Sequence, residues 1–197
     1  MRLIKLSLAS LFFMLHFSGC GTNPVQSISR DDSELRNVDS ELQQTFESAL
    51  QLMRQNKTAQ AKKHLQNLID QYPQMAGPYI NLGIIQLTEG DLAKAENTFT
   101  TALKIKPDSP PAHNQLGVAL RMQGKFQEAE QAYTSALKLQ PDYLLAHRNL
   151  GILYDLYLPR PKLALQHYKH CQTLSDSSDK EISGWILDLE RRIKPSK

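Results

Sequence analysis

Three side chains near the C-terminus have the spacing of metal ligands on a helix. His167, His170 and Cys171 lie at i, i+3 and i+4, and that spacing would place them together on one helical face. Cys171, however, takes the position that Ala102 and Ala136 hold in the repeats described below. It is therefore interpreted as a small buried residue. We expect helix-surface histidines here, with no metal and no other cofactor.

No sequence pattern typical of a catalytic centre is visible. The chain contains no serine–histidine–acid signature, no glycine-rich phosphate loop and no paired-carboxylate motif. We therefore expect a protein that is not an enzyme. A catalytic site assembled across several helices stays an alternative, and a set of polar-to-alanine changes that leaves activity intact would exclude it.

Cys20 is a candidate for covalent modification by lipid. Residues 1–19 begin with two basic residues and continue with an apolar run from Leu6 to Phe17 and two small residues. These features are typical of a secretory signal peptide, and the apolar run is too short to span a bilayer. Small residues directly before a cysteine resemble the bacterial lipobox, in which the cysteine is acylated and becomes the mature N-terminus. An ordinary cleaved signal with an incidental cysteine is the alternative.

The segment after the cut site is polar and has little hydrophobic periodicity. We predict that residues 20–41 form a lipidated cysteine and a flexible tether. Because no aspartate follows Cys20, the resemblance to enterobacterial lipoprotein sorting implies an anchor in the outer membrane, with the protein facing the periplasm.

The charge of the mature chain argues against a nucleic-acid partner. The precursor has 23 basic and 20 acidic residues, and Arg2 and Lys5 leave with the signal peptide, so 21 basic residues remain. Such a balance lacks the basic surface on which nucleic acids bind.

Glycine and proline recur along the chain with a fixed step of 34 residues. Three glycines that each follow a leucine have this step: Gly83, Gly117 and Gly151. Three prolines have the same step: Pro73, Pro107 and Pro141. A strict period of this length indicates a stacked solenoid, because one unit cannot bury its apolar face alone. Such a fold offers an extended surface, which favours binding over catalysis.

Residues 76–109 illustrate one unit. Apolar residues recur with a helical period over residues 76–88, and Gly90 is predicted to end this helix. A second helix places Phe99 between two alanines on one face, and a proline ends it. Gly83 has no side chain, so the second helix can approach closely there. The unit is therefore predicted to be an antiparallel helical hairpin.

In this arrangement the chain resembles the tetratricopeptide repeat family. The matching residues of the two central units are Leu82–Gly83, Ala95, Phe99, Ala102 and Pro107, and Leu116–Gly117, Ala129, Tyr133, Ala136 and Pro141. We identify four units, at residues 42–75, 76–109, 110–143 and 144–178. The resemblance implies an all-α, right-handed superhelical solenoid of four helix-turn-helix units.

The end of the stack departs from the repeat pattern. The fourth unit needs one extra residue, which we assign to the turn at Leu158–Pro161. A capping helix and tail are predicted over residues 179–197, with Ser178 as the N-cap. Trp185 is predicted to anchor this helix on the last repeat; a contact with a partner is the alternative for this residue.

The resemblance further implies a concave face lined by the first helix of each unit. The amides on this face are Asn81, Gln115 and Asn149, which could hydrogen-bond an extended peptide. An apolar row is formed by Ile84, Val118 and Ile152. Other groove positions hold Asn114, Arg121 and Arg148. The alternative for the amides is hydrogen bonding between helices inside the scaffold.

In chaperone-binding repeats, lysines clamp the terminal carboxylate of the chaperone tail. Because the groove lacks these lysines, a chaperone tail is not expected as the partner. The chain resembles small tetratricopeptide lipoproteins that assemble type IV or Flp pili and their secretins. This implies a scaffold that holds another envelope protein by an apolar segment, and that meets the membrane only through its lipid. Two alternatives stay open: an adaptor for peptidoglycan-modifying enzymes, and a structural solenoid that associates with itself.

Overall fold

The computed structural model describes residues 31–175 and 179–194, with side chains from residue 40 onward. The predicted signal peptide, Cys20 and Ser178 lie outside the described residues. Within the described part of the chain the structure is helical and contains no strand, which confirms the predicted all-α repeat fold. No helix in this part is long and apolar enough to cross a membrane.

The described residues form nine α-helices and one π-helical turn, joined by short turns. They are α1 (Asp31–Arg54), α2 (Thr58–Gln71), α3 (Ala76–Thr88), α4 (Leu92–Ile105), α5 (Pro110–Met122), α6 (Phe126–Leu139), α7 (Leu144–Ile152), the π-helical turn (Leu153–Tyr157), α8 (Pro161–Leu174) and α9 (Lys180–Ile193). The chain divides into two compact units, residues 1–39 and 40–197.

The predicted tether ends earlier than the sequence suggested. Helix α1 begins at Asp31, so residues 31–41 are helical rather than part of a flexible linker over residues 20–41. This stretch contains no proline and no glycine, and nothing in its backbone therefore interrupts the helix. Its polarity is an insufficient reason to predict an extended linker.

Successive helices pair as hairpins, α3 with α4, α5 with α6 and α7 with α8. The pairs come close because a glycine faces an aromatic ring. A Cβ atom built on Gly83 would lie 2.5 Å from the ring of Phe99, and one built on Gly117 would lie 2.5 Å from the ring of Tyr133. Gly151 meets the ring of Tyr168 in the same way. These contacts confirm the predicted close approach, since even one methyl group would overlap the ring.

Two of the turns between paired helices need a left-handed residue. Gly90 has φ of 82° and Gly124 has φ of 77°, a conformation that costs glycine little. Asn56 adopts the same conformation one step earlier, with φ of 57°, as asparagine tolerates. The predicted role of Gly90 in ending its helix is confirmed.

The extra residue of the fourth unit lies inside its first helix. The prediction that it falls in the turn at Leu158–Pro161 is therefore wrong. Helix α7 continues as the π-helical turn, in which the backbone N–H of Leu158 donates to the carbonyl of Leu153 at 2.8 Å. A π turn has a wider hydrogen-bonded ring than an α turn, so it absorbs one residue without breaking the helix.

The last helix is capped by a different residue than predicted, and three aliphatic residues are its most buried side chains. The carboxylate of Asp179 accepts hydrogen bonds from the backbone of Glu181 and Ile182, at 3.0 and 3.2 Å, and is therefore the N-cap. The buried residues of α9 are Ile182, Ile186 and Leu189. Trp185 is partly buried and packs against the hydrophobic cluster of the last two units, so it contacts the last repeat as predicted without being among the fully buried residues of this helix.

Candidate partner-binding face

The first helices of the units lie on the inner side of the stack. Helix α3 contacts α5, and α5 contacts α7, whereas no two of the second helices α4, α6 and α8 contact each other to the same extent. A stack whose first helices lie closer together than its second helices curves toward the first helices. We call this side, formed by α3, α5, α7 and the π-helical turn, the concave face.

The aliphatic row predicted from the repeat register lies on these helices and is partly exposed. Ile84 packs against the cluster that contains Phe99. Val118 and Ile152 pack against the larger cluster of the last two units. All three side chains are half-buried, so each has one side on the core and one side toward solvent. Together they give the concave face an apolar strip.

The predicted amides are used in part by the scaffold itself. The side-chain amide of Asn81 donates to the carbonyl of Gly77 in its own helix at 2.9 Å. The amide of Asn149 donates to the side-chain oxygen of Asn114 at 2.9 Å, which ties α7 to α5. Gln115 is partly exposed. The alternative of hydrogen bonding inside the scaffold therefore describes Asn149.

Asn114 is the groove residue that the structure places elsewhere. Its side chain is only 2% exposed, so its prediction as a partner contact is wrong. A buried amide requires a hydrogen-bond partner, and Asn149 supplies it from the neighbouring helix. Asn114 thus helps to fix the spacing of the first helices beneath the concave face.

The two predicted arginines have different surroundings. The guanidinium of Arg148 forms an ion pair with Glu181 of α9 at 2.5 Å and lies over the ring of Trp185 at 5.3 Å. The guanidinium of Arg121 donates to the hydroxyl of Tyr133 at 3.4 Å and lies over the ring of Tyr157 at 5.7 Å. Both residues are partly buried, and each guanidinium lies over an aromatic ring, an arrangement that favours the cation.

The concave face ends in a groove that sequence reasoning missed. Its volume is 530 Å³ and its lining residues are Ile152, Asp155, Leu156, Tyr168, Trp185, Asp188 and Arg192. The π-helical turn contributes Leu156, which is 69% exposed. The extra residue of the fourth unit was the sequence feature that could have indicated this groove. An extra residue can be absorbed by a π turn, and π turns often occur at functional sites.

The histidines with metal-ligand spacing form hydrogen bonds within the scaffold. Nε2 of His147 donates to the carbonyl of Pro141 at 2.7 Å, so Nδ1 of His147 accepts from Nδ1 of His167 at 2.9 Å. Burial lowers the pKa of His167 to about 4, and this ring is neutral at pH 7. Cys171 faces the core, and burial raises the pKa of its thiol to about 11. In residues 31–175 and 179–194 no three potential ligands are arranged to hold a metal ion.

Family models match the middle of the chain. Tetratricopeptide repeats are found at residues 52–117 and 110–143, which include both central units. These matches and the helical hairpins define the class: the described residues have an all-α helical repeat fold, and the matched residues carry tetratricopeptide repeats, a type of scaffold that generally binds other proteins. Comparison with curated protein sequences gives no match.

Solved structures share the fold at low sequence identity. The pilF protein of Pseudomonas aeruginosa has a TM-score of 0.71 at 22% identity, over 78% of this chain and 69% of that chain. A thermophilic TPR protein of Thermus thermophilus has a TM-score of 0.66 at 19% identity, over 81% of this chain and 87% of that chain. The first TPR domain of Spaghetti (RPAP3), bound to the HSP90 peptide SRMEEVD, has a TM-score of 0.57 at 19% identity, over 61% of this chain and 94% of that chain.

Proposed function

We propose that the protein is a non-catalytic scaffold that holds another envelope protein by an apolar segment in the concave face. The observation that carries this proposal is the partly exposed row of Ile84, Val118 and Ile152. Aliphatic side chains that face solvent side by side on adjoining helices are typical of interaction surfaces. The fold class supports the proposal, because TPR domains generally bind peptide partners.

The second part of the proposal concerns location. In this account Cys20 is acylated, and the lipid holds the protein on the periplasmic side of the outer membrane. The small residues before Cys20 support it, as does the resemblance to tetratricopeptide lipoproteins of pilus assembly, whose repeat fold is also that of pilF. Each buried CH₂ group of the lipid would contribute about 0.8 kcal/mol to anchoring. The envelope machine in this proposal is a type IV or Flp pilus with its secretin.

Metabolic labelling tests the anchor. Wild-type protein expressed in its native host should incorporate labelled palmitate, and Cys20→Ser should not, because the serine hydroxyl does not replace the thiol in lipoprotein processing. The variant should also stay uncleaved by the lipoprotein pathway and change its partition between membranes. Label retained by Cys20→Ser would contradict the assignment.

Site-specific cross-linking tests the binding face. A photoreactive amino acid at position 84 should form an adduct with one envelope protein in intact cells. The same amino acid at position 138, an exposed site on the second helix of its unit, should not form this adduct. An adduct of equal yield from both positions would contradict a role of the concave face. An adduct only with a second copy of the chain would favour self-association instead.

A further inference from the structure

The concave face carries few charges, and most of them are neutralised. Helix α3 has no charged residue. Leaving the histidines aside, α5, α7 and the π-helical turn contribute Arg121, Arg148 and Asp155. Arg148 pairs with Glu181, and Asp155 pairs with Arg192, each at 2.5 Å. Both counter-ions come from α9, which packs against α8 in the place that the first helix of a next unit would take.

Arg121 is the exception among these three. The electrostatic partners of its guanidinium among the described side chains are the hydroxyl groups of Tyr133 and Tyr157. Burial raises the pKa of Tyr133, so this hydroxyl stays protonated and provides no negative charge. Helix α7, which follows the third unit as α9 follows the fourth, offers no carboxylate, because its sequence contains none.

The partly buried positive charge of Arg121 lacks a negatively charged partner. Removing a charge from water is costly unless an opposite charge and hydrogen bonds compensate. In the fourth unit the chain supplies the compensation from α9. In the third unit Nε of Arg121 donates to the hydroxyl of Tyr133 at 3.4 Å, and Cζ of Arg121 lies 5.7 Å from the ring centre of Tyr157. These contacts orient the guanidinium, but no described residue compensates its charge.

Arg121 has aliphatic neighbours toward the second unit and on its own helix, whereas the equivalent position of the fourth unit holds Asp155, which is paired with Arg192. Leu87, which holds the equivalent position in the second unit, is partly buried against the cluster of Phe99. On its own helix, Val118 lies one turn before Arg121, and Met122 beside it is 50% exposed. A ligand that covers this strip therefore has to be aliphatic and has to meet one fixed positive charge near its centre.

We propose that the concave face binds a partner segment in which aliphatic residues flank one aspartate or glutamate, and that this side-chain carboxylate pairs with Arg121. The inference rests on the proposed function and specifies its partner. The guanidinium suits this role because it can bind a carboxylate through two parallel hydrogen bonds. A side-chain carboxylate fits better than a chain end, because the aliphatic row has one member in the unit before Arg121, Ile84, and one in the unit after it, Ile152.

Selection of peptides by phage display tests the inference with random sequences as the probe. Random 16-residue peptides, joined to the coat protein at their C-terminus so that no terminal carboxylate is free, are selected on purified full-length protein in detergent. The targets are wild type, Arg121→Glu, Arg121→Met, Val118→Glu and Lys138→Glu. A thermal melt of each target verifies that it is folded.

The wild-type pool should be enriched in aliphatic residues around one acidic position. Selection on Arg121→Glu should replace this acidic position by lysine or arginine, and Arg121→Met should lose the charge preference. Lys138→Glu, which changes an exposed lysine on a second helix, should reproduce the wild-type pool. A C-terminally amidated peptide from that pool should bind Arg121→Glu at least about tenfold more weakly, and its Glu→Lys form should regain affinity.

Two results separate failure of this inference from failure of the proposed function. If the wild-type pool has no acidic position, or if Arg121→Glu selects the same peptides, the proposal of a carboxylate partner is wrong. If folded Val118→Glu loses those peptides, binding in the concave face is still supported. If folded Val118→Glu keeps the same peptides, or if wild type selects none, binding in the concave face fails as well.

Discussion

Gly117 shows how one residue fixes the distance between two helices. Its Cα faces the ring of Tyr133, and an added Cβ atom would lie 2.5 Å from that ring. The ring is fully buried, so it has little room to move. We expect Gly117→Ala to destabilise the protein by about 1–3 kcal/mol through overpacking. The midpoint of urea unfolding measures this change.

Gly184 of α9 is the matched control for Gly117. It also lies inside a helix, but a Cβ atom built there meets no heavy atom within 4 Å. Gly184→Ala should therefore raise the free energy of unfolding by about 0.5–1 kcal/mol, because alanine is the better helix former. If both changes raise the urea midpoint, helix propensity rather than the ring contact determines the effect at Gly117.

The pair of His147 and His167 predicts a dependence of stability on pH. Burial is the main cause that lowers the pKa of both rings, that of His167 to about 4, from an unfolded value of about 6.5. Between these values the unfolded chain binds more protons than the folded chain. The free energy of unfolding should therefore be highest above pH 6.5 and should fall as the pH drops toward 4.

Urea unfolding at pH 7.5 and at pH 5 measures this effect. His167→Gln should reduce the difference between the two pH values, because it removes the ring with the larger depression of pKa. Gln166→Ala, an exposed change on the same helix, should keep the wild-type difference. An unchanged difference in His167→Gln would show that other groups cause the loss of stability in acid.

At the scale of elements, α9 closes the stack through its aliphatic side. Leu189 is fully buried, and Leu189→Ala should cost about 2–5 kcal/mol, as large-to-small changes in cores do. Leu187 on the same helix is 51% exposed, and its change to alanine should stay within about 0.5 kcal/mol. Thermal melts compare the two variants; equal shifts would mean that α9 does not pack as a cap.

Helix α9 also shows the limit of sequence patterns for single elements. The apolar stripe of this helix includes Ile182, Trp185 and Leu189, and its period predicts a helix correctly. The width of the stripe leaves open which members face the core. Trp185 lies at the edge of the stripe, where the centre of its ring is 5.0 Å from the centre of the ring of Tyr168. Residue size therefore does not indicate which members of the stripe are the most buried.

At the scale of the whole molecule, the repeat explains why so much could be predicted. Each step of 34 residues repeats one contact, such as the glycine–ring contact of Gly83 and Phe99, and repetition makes the pattern visible without a structure. Features that occur once have no such support. The π-helical turn depends on a hydrogen bond from Leu158 to Leu153, and the burial of Asn114 depends on Asn149 of another unit.

The central claim is that the concave face binds a partner, and Val118→Glu tests it most directly. Val118 lies in the middle of the aliphatic row and is partly exposed, so a carboxylate there would oppose an apolar ligand at a central position. The measurement is recovery of the partner from native envelope extract, with a thermal melt of each variant and Lys138→Glu as the control. We predict that Val118→Glu melts close to wild type and loses the partner, whereas Lys138→Glu keeps it. A folded Val118→Glu that recovers every partner would contradict the account.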